Sequence, residues 1–191
     1  MAISLLKGGN LNLPKTDPSL KQVLIGLRSD ARSCDSADVD LDTSIFTVTE
    51  NSRVRTDSDS IFYGQFRSSC GSREHTGDNR GTGNGDDEAL RTKLDHVPAA
   101  ILRLVVAVMV HNARARKQNF GTEHNDFIRL VNSETNVEIA RFELSEDSST
   151  EKSMVFGEVY RYGGECEFKA VRQGYAGGLR ALAIQHGAAV Q

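Results

Sequence analysis

Leu104-Val105-Val106-Ala107-Val108-Met109-Val110 is the longest apolar run in the chain, and it is apolar at odd and even positions alike. A stretch this short falls well below the ~18 to 20 residues that cross a bilayer. It reads instead as a strand covered on both faces in the middle of a sheet. Val23-Leu-Ile-Gly-Leu27 has the same character. Around these two runs the chain alternates with period two, as in Leu90-x-Thr92-x-Leu94, Val137-x-Ile139 leading into Phe142-x-Leu144, and Cys166-x-Phe168-x-Ala170. Such alternation marks half-buried strands. Many short strands separated by polar, glycine-bearing loops predict an all-β fold, a two-sheet β-sandwich, in preference to alternating β-α units.

Helical signal is sparse. After Ala176, Leu179, Leu182 and His186 follow a three-to-four spacing that ends at Gly187, which predicts a short C-terminal helix with a glycine cap. Ser148 and Glu151 stand in capping-box order ahead of Met154-Val-Phe156 and mark a second candidate helical turn. No repeat of about 20 to 50 residues and no proline- or serine-rich linker divides the chain, so residues 1–191 read as a single domain.

Composition narrows the function classes. Hydrophobic residues at 38% and charged residues at 26% exclude collagen-like and wholly disordered chains. A net charge of −3 lacks the basic surface that a general nucleic-acid binder needs to displace counterions. The only early positive side chain, Lys7, follows a short apolar stretch broken by Ser4, the reverse of a secretion signal. Cys34, Cys70 and Cys166 are odd in number and show no Cys-x-x-Cys spacing, so neither a disulfide framework nor a zinc site is indicated. A cytoplasmic location is the expectation. Alternation puts Cys166 with Phe168 and Ala170 on an apolar face, as a core residue.

Glycine is abundant, at 17 against 3 prolines, and its most informative cluster is Gly77-Asp-Asn-Arg-Gly-Thr-Gly-Asn-Gly-Asp-Asp-Glu88. Glycines let the backbone turn its carbonyls inward, and the acidic oxygens supply negative charge, a combination suited to hard cations such as calcium. A phosphate loop would need a lysine or a helix N-terminus and would not carry the carboxylates of Asp78, Asp86, Asp87 and Glu88. A second acidic stretch runs from Asp30 to Asp42. In a strand, Asp38, Asp40 and Asp42 share one face at intervals of about 6.6 Å, with Val39 and Leu41 on the other. Repulsion between neighbours is about 2 to 3 kcal/mol at an effective dielectric near 20. A bound cation or Arg28 and Arg32 would relieve it, and the spacing alone leaves a divalent-metal site and a solvated acidic face both open. Twelve-residue frames from Asp78 or Asp40 fail the EF-hand pattern, since Arg80 occupies the third position of one and Ile45 replaces the glycine of the other.

The chain resembles the tellurium-resistance TerD family of stress proteins over nearly its full length. Ser4-Leu-Leu-Lys-Gly-Gly-Asn10, Val23-Leu-Ile-Gly-Leu27, Asp30-Ala-Arg-Ser33, Asp40-Leu-Asp42, Ile61-Phe-Tyr63, His75-Thr-Gly-Asp-Asn-Arg80, Gly85-Asp-Asp-Glu88, Phe127-Ile-Arg129, Phe156-Gly-Glu158 and Gly174-Tyr-Ala-Gly-Gly178 carry the resemblance in this order. It implies a β-sandwich that binds calcium through an acidic patch and works in the cytoplasm within a bacterial system of tellurite and chemical-stress resistance. The implied ligands are Asp30, Asp40, Asp42, Asp78, Asn79, Asp86, Asp87 and Glu88, with backbone carbonyls of Gly81 and Gly83. The implied partners are other tellurium-resistance proteins, including a membrane-bound member. Arg28-Ser29 stands where the family usually has Gly-Trp, Asn84 stands near a position often acidic in a loop one residue shorter than is typical, and Val110-His-Asn112 replaces Ile-His-Asp. Fewer charged ligands predict weaker calcium binding than in a consensus member.

Among the histidines, His75 and His111 lie beside the acidic segments; calcium prefers oxygen, so hydrogen bonding to its ligands is their expected role. His96, His124 and His186 read as surface or capping residues. No nucleophile elbow, His-Glu-x-x-His helix or Walker loop occurs, so no catalytic residue is assigned. Arg114, Arg116 and Lys117 suffice at most for a weak contact with an anionic membrane surface, at about 1 kcal/mol per basic residue. The alternatives to a calcium-binding module are a magnesium- or manganese-dependent enzyme or nucleotide-linked stress factor using the same acidic cluster, and a scaffold that binds no ion.

Overall fold

The computed structural model describes residues 2–28, 40–62, 64–78, 86–120, 127–143 and 151–189, with Asp78 and Arg114 described in their backbone only. The sequence-predicted ligands Asp30, Asn79, Gly81 and Gly83, together with Cys34, His124 and Ser148, lie outside the described residues.

The strands are β1 (Ile3–Ser4), β2 (Asn10–Asn12), β3 (Gln22–Arg28), β4 (Leu41–Val48), β5 (Ser60–Ile61), β6 (Arg73–Asp78), β7 (Glu88–Lys93), β8 (Arg103–Val110), β9 (Phe127–Asn132), β10 (Val137–Glu143), β11 (Ser153–Tyr162) and β12 (Glu165–Tyr175). Short helices are α1 (Leu13–Thr16), α2 (Ala113–Arg116) and α3 (Gly178–His186). Among the described residues the strands form two six-stranded sheets, in the orders β1-β10-β9-β3-β7-β6 and β2-β12-β11-β8-β4-β5. Pairing is antiparallel except between β1 and β10. The two doubly apolar runs occupy interior positions: β3 lies between β7 and β9, and β8 between β4 and β11.

Alternation sorts the side chains into two apolar layers. Val23, Ile25 and Leu27 of β3 meet Leu104, Val106, Val108 and Val110 of β8 in the main core between the sheets. The opposite face of the second sheet offers Phe46, Val48, Val105, Ala107 and Val155, which pack against Leu182 and Ala183 of α3. That second layer explains why β4 is buried at every position along Leu41–Val48. Helix α3 ends at Gly187, which takes the left-handed conformation expected of its cap. His186 differs from its expected surface or capping role: it is buried, stacks on Phe46 with ring centroids 5.5 Å apart, and has Nδ1 3.1 Å from the Ser52 carbonyl.

Residues 148–150 of the candidate helical turn lie outside the described residues, and from Ser153 the segment is strand β11. Ser153, Met154 and Val155 pair with Met109, Val108 and Ala107, and burial of Met154 and Phe156 in the main core outweighs the local capping signal. Among the described residues no helix is long and apolar enough to cross a membrane. At one end of the sandwich the last residues of β3, β6 and β8 gather beside the first residues of β4, β7 and β9. The described acidic candidates lie at this end.

Candidate metal centre

Glu88 opens β7, and because Leu90 and Thr92 of the same parity are fully buried, its side chain also points between the sheets. Its Oε2 accepts the backbone N–H of Thr43 at 2.5 Å and the Thr43 hydroxyl at 2.8 Å, which ties the first sheet to β4 of the second. His75 Nε2 lies 3.4 Å from the same oxygen. The Gly77 N–H donates to His75 Nδ1 at 3.0 Å, so a neutral imidazole carries its proton on Nε2, facing Glu88. This turn depends on Gly77, whose φ is +90, and it accompanies a register shift between His75 and Asp78. Past the bulge, the Asp78 backbone pairs with Glu88.

Asp42 sits on the other side of β4. Its Oδ2 lies 2.8 Å from His111 Nδ1, and its side chain is 9% exposed. Burial pushes the Asp42 carboxyl above its ordinary range; the His111 hydrogen bond pulls it back, while the charges of Glu88 and Asp40 push it further up. The Asp40 carbonyl accepts the His111 N–H at 2.7 Å, extending the β4–β8 pairing by one step. His111 thus bonds to one candidate carboxylate through its ring and to the backbone of another.

Asp86 has a different environment, on the outer face of the first sheet. Arg129 donates to it twice, Nε to Oδ1 at 2.7 Å and Nη2 to Oδ2 at 3.1 Å. Nη1 of Arg129 lies 3.6 Å from Glu138, which takes two further hydrogen bonds from Arg141 at 2.9 and 3.1 Å. The Arg141 guanidinium rests over the Phe127 ring at 4.1 Å. Alternating charges run across β9 and β10 and end at Asp86. The hydrogen bond to Asp86 holds the Arg129 guanidinium above its already high range. Asp87 donates its N–H to the Leu27 carbonyl at 2.9 Å, continuing the β3–β7 pairing.

The five carboxylates with described side chains therefore occupy three settings: Glu88 between the sheets, Asp42 with Asp40 beside His111, and Asp86 with Asp87 beside β3. Among the described residues they do not form a group of three or more metal-ligating side chains. Sequence spacing does not reveal Thr43 as the partner of Glu88 or Arg129 as the partner of Asp86; each partner is more than 40 positions away, at separations of 45 and 43. The only local signal for Arg129 is its place in an alternating strand, Phe127-Ile-Arg129.

A TerD domain model matches residues 1–186. A tellurium resistance protein TerD from Serratia marcescens is 54% identical over 188 residues, covering 98% of each chain. A general stress protein 16U from Bacillus subtilis (strain 168) is 43% identical over 189 residues, again covering 98% of each. A crystal structure of a homologue of telluride resistance protein (TerD) from Streptomyces coelicolor A3(2) superposes with a TM-score of 0.69 at 20% identity, covering 86% of this chain and 96% of that one, and supports the fold alone.

Proposed function

The chain belongs to the TerD domain family, and from that premise we propose that it is a calcium-binding module of a tellurite and chemical-stress resistance system, acting by binding and not by turnover. The observation that carries this reading is the Asp42 carboxyl, almost enclosed and raised by burial and by the charges of Glu88 and Asp40. A cation at this end of the sandwich offsets those like charges. The donors are carboxylate and backbone oxygens, which suit calcium better than a soft metal.

Asp40, Asp42, Asp86, Asp87 and Glu88 are the proposed ligands with described side chains, and Asp30, Asp78, Asn79 and the carbonyls of Gly81 and Gly83 complete the set. Arg129 already matches the charge of Asp86, so Asp86 brings less free negative charge to a cation than its count as a carboxylate suggests. Calcium supplies positive charge at the meeting point of the two sheets. The partners proposed are other tellurium-resistance proteins in the cytoplasm, a membrane-bound member included, with no nucleic acid and only weak contact with a membrane surface.

Calorimetric titration of the purified chain with calcium, and separately with magnesium, tests the proposal. The expected result is saturable heat and a raised melting temperature with calcium at micromolar to millimolar concentration, and a weaker response to magnesium. No heat and no thermal shift at millimolar calcium would overturn it.

A further inference from the structure

Far from the acidic end, Arg67 and Glu74 bridge the base of a tight loop. The Ser68 N–H donates to the Arg73 carbonyl at 3.1 Å, the Arg73 N–H to Ser68 Oγ at 3.1 Å, and the Gly71 N–H to the Ser68 carbonyl at 2.9 Å. Cys70 stands exposed at the tip. Its sulfur lies 3.0 Å from Ser72 Oγ and 3.5 Å from Ser68 Oγ, and both serines are buried. A thiolate at this position accepts from both hydroxyls.

Behind the loop, Arg73 is completely buried, and among the described residues none of its side-chain nitrogens has a hydrogen-bond partner within geometric limits. Among the described residues its counter-charge is Asp59 Oδ1, 3.6 Å from Nη2. Asp59 is itself fully buried and already accepts Nε and Nη2 of Arg55 at 2.8 and 2.9 Å. Glu74 is engaged by Arg67 at 2.7 Å and approached by Arg91 at 3.8 Å. Two guanidinium charges, of Arg55 and Arg73, thus share the single carboxylate of Asp59, and the charge of the buried Arg73 also acts on Cys70. A buried guanidinium with no hydrogen-bond acceptor is costly, and an anion at Cys70 reduces that cost.

We propose that Cys70 is a peroxide-reactive thiolate, held by Ser68 and Ser72 and charge-matched by Arg73. The sulfur attacks one oxygen of a hydroperoxide, forming an S–O bond as the O–O bond breaks. The sulfur loses two electrons and becomes a sulfenic acid. The departing hydroxide or alkoxide takes a proton from solvent and leaves as water or an alcohol. Partial burial raises the Cys70 thiol, but the hydrogen bonds from Ser72 and Ser68 and the Arg73 charge outweigh it and bring it to about 7. By contrast, burial pushes the Cys166 thiol up, against the weaker pull of the Arg161 charge. A thiol near ambient pH combines thiolate content with retained nucleophilicity.

The test uses the full chain carrying Cys34→Ser and Cys166→Ser, so that only Cys70 reports. Its alkylation by iodoacetamide is followed against pH, and hydrogen peroxide treatment is followed by a dimedone trap and mass spectrometry. The expected alkylation rate is half-maximal near pH 7, with a dimedone adduct on Cys70. At pH 7 the rate exceeds that of a thiol with the ordinary value of 9.0 by about fivefold, the gain in thiolate exceeding the loss in nucleophilicity. Ser72→Ala, a small change at a loop, moves the midpoint upward and slows the reaction at pH 7 severalfold. A midpoint above about pH 8.5, or the absence of the adduct, would overturn the proposal.

Discussion

Asp86 meets Arg129 through two parallel hydrogen bonds, of 2.7 and 3.1 Å, directly over the α-carbon of Gly26. A methyl group at Gly26 would lie 2.2 Å from Asp86 Oδ2. The carboxylate can occupy this place only because residue 26 has no side chain. Gly26→Ala therefore displaces Asp86 from Arg129 and is expected to cost about 1 to 3 kcal/mol, as overpacking does. Urea denaturation of a double-mutant cycle with Asp86→Ala measures it, since removing the carboxylate should relieve most of that cost. Strictly additive effects would refute the contact.

The same outer-face network sets an acid limb of stability. The hydrogen bond from Arg141 holds the Glu138 carboxyl below its ordinary value of 4.5, with the charges of Arg141 and Arg129 adding to it. A folded-state value below the unfolded one gives stability that is fully present above about pH 4.5 and is lost as pH falls through the lower, folded value. Glu138→Gln should therefore make the chain less stable at pH 7 and flatten the loss of stability below pH 4.5. Melting temperatures from pH 7 down to pH 3 would show this, and an unchanged acid limb would exclude it.

Helix α3 is held by a narrow apolar contact. Leu182 is fully buried against the face formed by Phe46, Val48, Val105 and Val155, whereas Ile184 is 65% exposed. Leu182→Ala leaves a cavity there, with an expected cost of about 2 to 5 kcal/mol, while Ile184→Ala should be nearly neutral. Limited proteolysis near Gly177 and Gly178 should accelerate only in the first variant. Equal behaviour of the two would mean that α3 does not depend on this contact.

The legible parts of the fold were those in which one physical demand acted on neighbouring residues. Val23–Leu27 and Leu104–Val110 are apolar throughout because both faces of those strands are covered, and each became an interior strand. In β10 the apolar phase changes between Ile139 and Phe142 because a register shift lies between Glu138 and Ala140. Less legible was β4, whose Asp42, Thr43, Ser44 and Thr47 are all buried, so that its composition hides a two-sided strand. The capping-box order of Ser148 and Glu151 stands just ahead of Met154-Val-Phe156, and those three residues are strand because they pair with β8 and pack into the apolar layers. The acidic candidates were visible as residue types, but their partners come from other strands: Thr43 for Glu88 and Arg129 for Asp86.

The link between Glu88 and Thr43 is separable from its backbone. Thr43→Val keeps the shape and the 2.5 Å bond from the backbone N–H but removes the 2.8 Å bond from the hydroxyl. A hydrogen bond to a buried charged group is worth about 1.5 to 3 kcal/mol, so a loss in that range is expected. Glu88→Gln should reduce the additional effect of Thr43→Val when both are present. Chemical denaturation of the four forms measures the coupling, and a coupling near zero would dissociate the hydroxyl from Glu88.

Asp42 distinguishes an ion site from a merely acidic surface. Its carboxyl is raised by burial first, and further by Glu88 and Asp40 against the pull of His111, so its ionisation opposes folding when no cation is bound. The stabilising contribution of the protonated group is present below the unfolded value, near 3.8, and is lost as pH rises through the raised folded value. Asp42→Asn keeps an oxygen that can accept from His111 Nδ1 and removes the charge. Without calcium the variant should melt higher at pH 7, by roughly 2 to 4 °C for each kcal/mol recovered in a domain of this size. With calcium the order should reverse, because the native chain gains stability from the ion through linkage and the variant gains less. Calorimetric scans of both proteins with chelator and with excess calcium decide the matter. If the variant is less stable than the native chain under chelator and keeps the full calcium response, Asp42 is a structural carboxylate held by His111 and not part of an ion site.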